Sequence, residues 1–345
     1  MQLDGSIPMQ LKPFGNTNIN LPELGFGTYA LRSEITPKST AIQTLIRAYE
    51  LGVRLFDTGP SYGNGECDTL LGEAFGSLNN NEIFIAAKLS GPHSNNQDYS
   101  YDACMKAFES TLHGLKRNSV PLLQLHCIPS WRDIKKDDEK QWNNFFGENM
   151  GYQALLDIKS QGGCQFIGIT GHWSPFIKKC LEYADFDTVQ IASHYNLKNK
   201  VARKTILPIA KKRNMPIIIA NPLGGGSLIS FKSLEDPKNH HTIANGLINN
   251  EYWNIEYEIN VLKELSEKKG YEIYQLALLY LLQETLAFPI QGAKNIQELE
   301  LNLSVSKLPK LTSEEYIKLE SVPTDNLFLK GKNQVLKLTD LESIE

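Results

Sequence analysis

The chain has 345 residues, 41% of them hydrophobic and 21% charged, a composition that supports a large buried core and excludes a disordered or fibrous protein. A formal net charge of −4 excludes a general attraction to nucleic acid or to an anionic membrane surface. Five scattered cysteines (Cys67, Cys104, Cys127, Cys164, Cys180) without C-x-x-C spacing argue against a disulfide framework or a thiolate zinc site. They point to a reducing, cytoplasmic setting. No basic segment followed by an apolar one stands at the N-terminus, and no apolar run approaches the about 20 residues that a membrane span needs.

Residues 9–21 predict a polar hairpin turning on Gly15-Asn16-Thr17-Asn18. A first strand follows at 24–28, then an amphipathic helix over about 38–52 with Ala41, Leu45, Ala48 and Leu51 on one face. The second strand ends on Asp57 and runs into Thr58-Gly59-Pro60-Ser61-Tyr62-Gly63-Asn64-Gly65-Glu66, a turn-rich loop before a helix carrying Leu70, Leu71, Ala74 and Phe75. The third strand, 83–88, ends on Lys88; the fourth, 120–126, ends on His126. A polar insertion, 128–150, holds Trp131, Trp142, Phe145 and Phe146. Strands at 166–170, 188–192, 216–220 and 287–290 complete the series, with helices over about 100–117, 151–161, 174–184, 200–213, 256–269, 272–284 and 295–306. The loop after the seventh strand is long, and residues 307–345 form a mixed tail.

Eight strands, each followed by a helix, predict parallel βαβ units. On this count the α/β fold is a (β/α)₈ TIM barrel with an N-terminal hairpin, long loops after strands four and seven, and no domain boundary in 1–345. The first strand ends Gly25-Phe26-Gly27-Thr28-Tyr29-Ala30, which lacks the third glycine of an open dinucleotide-binding sheet.

In such a barrel the C-terminal strand ends converge on one face. Asp57, Lys88 and His126 end consecutive strands there, with Tyr62 in the adjoining loop. Taken singly, the acid also reads as a turn cap, the lysine as a rim residue and the histidine as a core residue. Together they suit proton donation to an oxygen becoming an alkoxide. A free phenol has a pKa near 10, and a neighbouring ammonium is expected to lower it. Asp57 is expected to keep Lys88 charged and oriented. One histidine beside a lysine does not suit a metal.

At these residues the chain resembles the aldo-keto reductase family, over about Met9 to Ser306. The resemblance rests on Gly25-Phe26-Gly27-Thr28, Asp57-Thr58-Gly59-Pro60-Ser61-Tyr62-Gly63 with Glu66, Lys88, Gln124-Leu125-His126, Ile167-Gly168-Ile169-Thr170, Gln190 with Tyr195-Asn196, Pro222-Leu223-Gly224, and Gly292-Ala293-Lys294 with Asn302. It implies NADPH stretched across the C-terminal face of the barrel, the hairpin plugging its bottom, and direct hydride transfer to an aldehyde, ketone or sugar carbonyl. Tyr62 would be the general acid, Asp57 and Lys88 its tuners, and His126 the orienter of the carbonyl.

The same resemblance assigns cofactor contacts to Gly27, Thr28, Asp57, Thr170, Gly171, Gln190, Asn221, Leu223, Gly224, Gly292, Lys294, Glu298 and Asn302. Thr170 stands where a serine is usual, Gly171 where an asparagine is common, and Ala220 where many members stack a tyrosine on the nicotinamide. An arginine found downstream in many members is absent, which leaves Glu298 and Asn302 as adenine contacts. Lys294 is the expected partner of a 2′-phosphate, favouring NADPH over NADH. Tyr29, Tyr62, His126, Trp131 and His172 are expected to line the substrate pocket, with the loops 128–150 and 221–256 and the tail setting specificity. Two alternatives to a reductase stay open: a cofactor-binding sensor subunit with slow turnover, and a sugar dehydrogenase working in the oxidative direction.

Overall fold

The computed structural model describes residues 9–90, 98–127, 138–232, 255–322, 328–330 and 334–336. Two short antiparallel strands come first, β1 (Leu11–Pro13) and β2 (Asn20–Pro22). Eight strands then close into a barrel: β3 (Gly25–Gly27), β4 (Leu55–Asp57), β5 (Phe84–Leu89), β6 (Val120–Cys127), β7 (Cys164–Gly171), β8 (Thr188–Ala192), β9 (Ile217–Ala220) and β10 (Ala287–Gln291). Every neighbouring pair is parallel, and β10 pairs with β3 to seal the ring. Helices between the strands cover the outside, as parallel crossovers require. The fold is the (β/α)₈ barrel that the strand count predicts. Among the described residues no helix is long and apolar enough to cross a membrane.

Strand alternation divides the side chains into two cores. Outward-facing residues such as Phe56, Ile85, Leu123, Leu125, Val189 and Ile219 pack under the helices. Inward-facing residues Leu55, Phe84, Leu122, Ile218, Phe288 and Ile290 form a separate cluster with Phe14. Phe14 is fully buried, its ring edge-on to Phe84 (5.2 Å) and Phe288 (4.9 Å). The hairpin therefore plugs the N-terminal end of the barrel, as the resemblance implies.

Three elements differ from the sequence reading. The helix expected over 200–213 is two, Val201–Thr205 and Leu207–Arg213, because Pro208 starts a new helix where its missing N–H is harmless. Inside the insertion lies a helix, Asp138–Phe146, masked in sequence by its polar residues. Its aromatic stripe packs on the barrel's helices: Trp142 stacks on Phe146 (4.5 Å) and meets Tyr183 edge-on (4.9 Å). The tail holds a helix, Ser313–Ser321, begun by a capping box between Thr312 and Glu315. The buried Lys200 ammonium fastens its C-terminus by donating to the carbonyls of Leu319 (2.7 Å), Glu320 (3.2 Å) and Val322 (3.1 Å).

Candidate active site

Alternation along the strands carries the inward positions from apolar to polar toward the C-terminal ends. Above Leu55 stands Asp57; above Phe84 and Ala86 stands Lys88; above Leu122 stand Gln124 and His126; beyond Phe166 and Gly168 stands Thr170. Asp57, Lys88, His126 and Thr170 are all buried. The mouth is held in shape by its own loops. Thr28 Oγ1 donates to the Asp57 carbonyl (2.9 Å), and Ser33 N and Oγ donate to Glu66 Oε2 (2.9 and 3.1 Å), tying the loop after β3 to the helix after β4.

Asp57 is the hub. Its Oδ1 accepts a short hydrogen bond from Lys88 Nζ, which also donates to the Thr58 carbonyl (2.8 Å). Its Oδ2 accepts from the Tyr62 hydroxyl at 3.3 Å. Lys88 Nζ lies 4.7 Å from the centre of the Tyr62 ring. Acid, amine and phenol thus meet as the strand ends imply. His126 stands near the end of the neighbouring β6, its carbonyl accepting from the Tyr99 hydroxyl (2.7 Å).

One expectation is corrected. Lys88 does not make the phenol acidic in this arrangement; Tyr62 is pushed well above the ordinary tyrosine range, first by burial of its hydroxyl and then by Asp57. The carboxylate that orients Lys88 also accepts the hydrogen bond of the phenol, and the ammonium lies over the face of the Tyr62 ring. Burial pulls Lys88 below its ordinary value while Asp57 pulls it back. Tyr62 is therefore held as a loaded proton donor at neutral pH.

Residues expected at the nicotinamide end are more tied down than the sequence suggests. Gln190 sits mid-strand in β8, not at its end, and its Oε1 accepts from Gln124 Nε2 (2.8 Å). The two reach each other across Gly168, where a Cβ would come within 3.0 Å of Gln124 Cγ. Gln124 Oε1 has no hydrogen-bond partner among the described residues. Gly171 ends β7 beside the buried Thr170, and Ala220 ends β9. His172 follows; burial and then the Lys88 cation hold its imidazole below the usual histidine range, so it is neutral. Tyr29 is 52% exposed at the mouth, edge-on to Tyr62 (5.1 Å), with the Arg32 guanidinium 3.8 Å from its ring centre. Trp131 and the segments 128–137 and 233–254 lie outside the described residues, as does most of 322–345.

Two backbone loops remain. Gly224, Gly225 and Gly226 all have left-handed φ (58°, 66°, 93°), which glycine alone adopts freely in succession. Leu223 anchors the loop to the core. Asn221 shapes it from below: Nδ2 donates to Ser193 Oγ (2.8 Å), and Oδ1 takes a short bond from Gly225 N. Lys198, which sequence reasoning missed, is buried beneath it with Nζ 3.1 Å from Ser227 Oγ. At the other loop, a Cβ on Gly292 would lie 3.4 Å from both the Gly27 carbonyl and Ala30 Cβ, and the Gly292 carbonyl accepts from Asn302 Nδ2 (3.2 Å). The backbone N–H of Lys294 donates to Glu298 Oε2 (2.9 Å), and its ammonium lies 4.0 Å from Glu298 Oε1. Glu298 is thus the partner of Lys294, a spacing of four residues that sequence alone contains.

The donor set fits a nicotinamide dinucleotide. Buried Gln124, Gln190 and Thr170 occupy inward positions near the strand ends, with Gln124 Oε1 unpartnered among the described residues; a glycine loop whose Gly225 is exposed follows β9, and a helix starts shortly after Gly292.

Comparisons with known proteins agree. Residues 23–323 match the profile of the aldo/keto reductase family. The chain is 29% identical to pyridoxal 4-dehydrogenase of Microbacterium luteolum over 63% of this chain and 71% of that protein. It is 26% identical to L-galactose dehydrogenase of Arabidopsis thaliana over 88% and 90% respectively. A holo aldo-keto reductase from Bacillus halodurans shares the fold, with a TM-score of 0.72 and 20% identity over 94% of this chain and all of that one.

Proposed function

Because the chain belongs to the aldo/keto reductase family of oxidoreductases, we propose that it reduces an aldehyde, ketone or sugar carbonyl to the alcohol with Tyr62 as general acid. The observation that carries this reading is the Tyr62 hydroxyl resting on the same Asp57 carboxylate that grips Lys88. A nicotinamide cofactor, when bound, would supply the hydride. The protein's part is position and charge. His126 orients the carbonyl oxygen toward the mouth. Tyr62 gives its proton to that oxygen as charge develops on it. The Lys88 ammonium, held by Asp57 beside the Tyr62 ring, offsets part of the charge that the phenolate then carries. Positioned proton donation of this kind contributes about 10²–10⁴ in rate.

Gln190, Thr170 and Gly171 would hold the carboxamide, the loop at Asn221, Leu223 and Gly224 the pyrophosphate, and Gly292, Lys294, Glu298 and Asn302 the adenosine end. Lys294 is the cation available to a 2′-phosphate, and Glu298 is its internal competitor, so NADPH and NADH both belong in the test. Tyr29 and His172 line the substrate side. The relatives named for pyridoxal and L-galactose direct the search to polar carbonyl compounds, sugars included.

The test follows reduced-cofactor absorbance with a panel of aldehydes, ketones and sugars. Oxidation above background on at least one compound is the expected result. Tight cofactor binding with no turnover on any of them would overturn the reading in favour of a sensor.

A further inference from the structure

Behind the catalytic pair lies a second carboxylate that the reaction described above does not use. Asp68, in the first turn of helix Glu66–Phe75, is 2% exposed. Its Oδ1 accepts from Thr58 Oγ1 (2.6 Å) and its Oδ2 from Thr111 Oγ1 (3.1 Å) on helix Tyr101–Leu115. The two helices meet here over glycine. A Cβ on Gly72 would fall 2.0 Å from the Gly114 carbonyl, and one on Gly114 would fall 3.1 Å from Asp68 Cβ. This close approach drives Asp68 against Thr58.

Thr58 is not an incidental partner. Its N–H continues the ladder by donating to the Ala86 carbonyl (3.1 Å), and its own carbonyl is the second acceptor of Lys88 Nζ (2.8 Å). Fixing the Thr58 side chain therefore fixes one of the two groups that aim the ammonium.

We propose that Asp68 is a positioning residue for the reaction: its carboxylate holds Thr58 so that the Thr58 carbonyl and Asp57 together aim Lys88, and its charge backs that ammonium from the far side. The proposal rests on the reading of Tyr62, Asp57 and Lys88 as the proton-donating set.

The charge balance supports it. The titratable groups facing Asp68 are Lys88, Asp57 and Cys67, and the facing group from helix Tyr101–Leu115 is the Thr111 hydroxyl. Burial raises the Asp68 carboxyl to about 6, against the two hydroxyl bonds and Lys88, which lower it. Asp68 in turn is one of the charges that raise Lys88. Above about pH 6 the carboxylate is charged and supports the ammonium; below it, that support is lost.

The experiment compares the pH profile of kcat for carbonyl reduction in wild type, Asp68→Asn and Tyr62→Phe, with cofactor affinity measured by fluorescence. Asparagine keeps the shape and accepts from Thr58 but carries no charge. Wild type is expected to lose rate as pH falls through about 6. Asp68→Asn is expected to lack that inflection and to run about three- to tenfold slower at pH 8, with cofactor affinity unchanged. An inflection identical to wild type, or wild-type rates throughout, overturns the proposal.

Thr58→Val and Thr58→Ser serve if Asp68→Asn does not fold. Valine is expected to lower kcat without moving cofactor affinity, and serine to restore it; equal rates in the two overturn the proposal. Tyr62→Phe separates the layers. Full activity there removes the proposed function itself, whereas a dead Tyr62→Phe beside an unaltered Asp68→Asn and Thr58→Val removes only the role of Asp68.

Discussion

The barrel buries a lysine at each end, and the two meet different fates. At the plugged end, Lys12 donates to the Ala287 carbonyl (2.5 Å) and lies 4.6 Å from the centre of the Phe288 ring. Among the described residues no carboxylate pairs with it, and burial drags it down to about 8 against the more distant charges of Glu23 and Glu284. At the open end, Lys88 is equally buried but is gripped by Asp57 and the Thr58 carbonyl. Burial alone makes a lysine easier to neutralise; burial beside a fixed carboxylate keeps an ammonium in place. Only the second arrangement also orders a phenol, and only there do polar side chains replace the aromatic plug.

Substitutions at the two ends should therefore separate rate from stability. Lys88→Met is expected to lower kcat about 10³-fold, within the range for disrupted acid–base catalysis; loss below tenfold would place the cation outside the chemistry. Phe14→Ala should do the reverse, costing about 4 kcal/mol in urea unfolding while leaving kcat within about twofold. A large fall in kcat at preserved stability would couple the plug to the mouth.

Lys12 gives a smaller, pH-dependent effect. Its folded value of about 8 lies below the ordinary 10.5. Between those values the unfolded chain holds a proton that the folded protein has released, so stability rises with pH through the window. Relative to Lys12→Met, wild type should gain on the order of 2 kcal/mol between pH 8 and 10. Parallel unfolding curves for the two proteins would contradict this. The smallest effect is expected at the adenosine end, where Glu298→Gln releases Lys294. Matched titrations should show NADPH gaining about fivefold on NADH, equivalent to about 1 kcal/mol. No change would remove Lys294 from phosphate recognition.

Much of this was legible in the sequence because strand ends in a closed parallel barrel must converge. Asp57, Lys88 and His126 needed only strand periodicity, and Tyr62 needed only its loop. The rest depends on register and turn shape. The Gln124–Gln190 bond joins residues two strands apart across Gly168, which no local pattern contains. The direction of the Tyr62 shift follows first from burial of the hydroxyl and then from its contact with Asp57, both set by how the turn 58–62 folds onto the strand end. Asp68 resembled any acid in a first helical turn until Gly72 and Gly114 showed how closely two helices press it inward. The Lys294–Glu298 pair and the Thr312–Glu315 capping box carried local spacings and could have been read from the chain.

Single-turnover reduction by the cofactor-loaded Tyr62→Phe variant tests the central claim most directly. The account predicts unchanged cofactor affinity and a hydride-transfer rate about 10³-fold below wild type, because phenylalanine keeps the ring beside Lys88 and removes only the proton that Asp57 holds ready. A rate equal to that of wild type would contradict it.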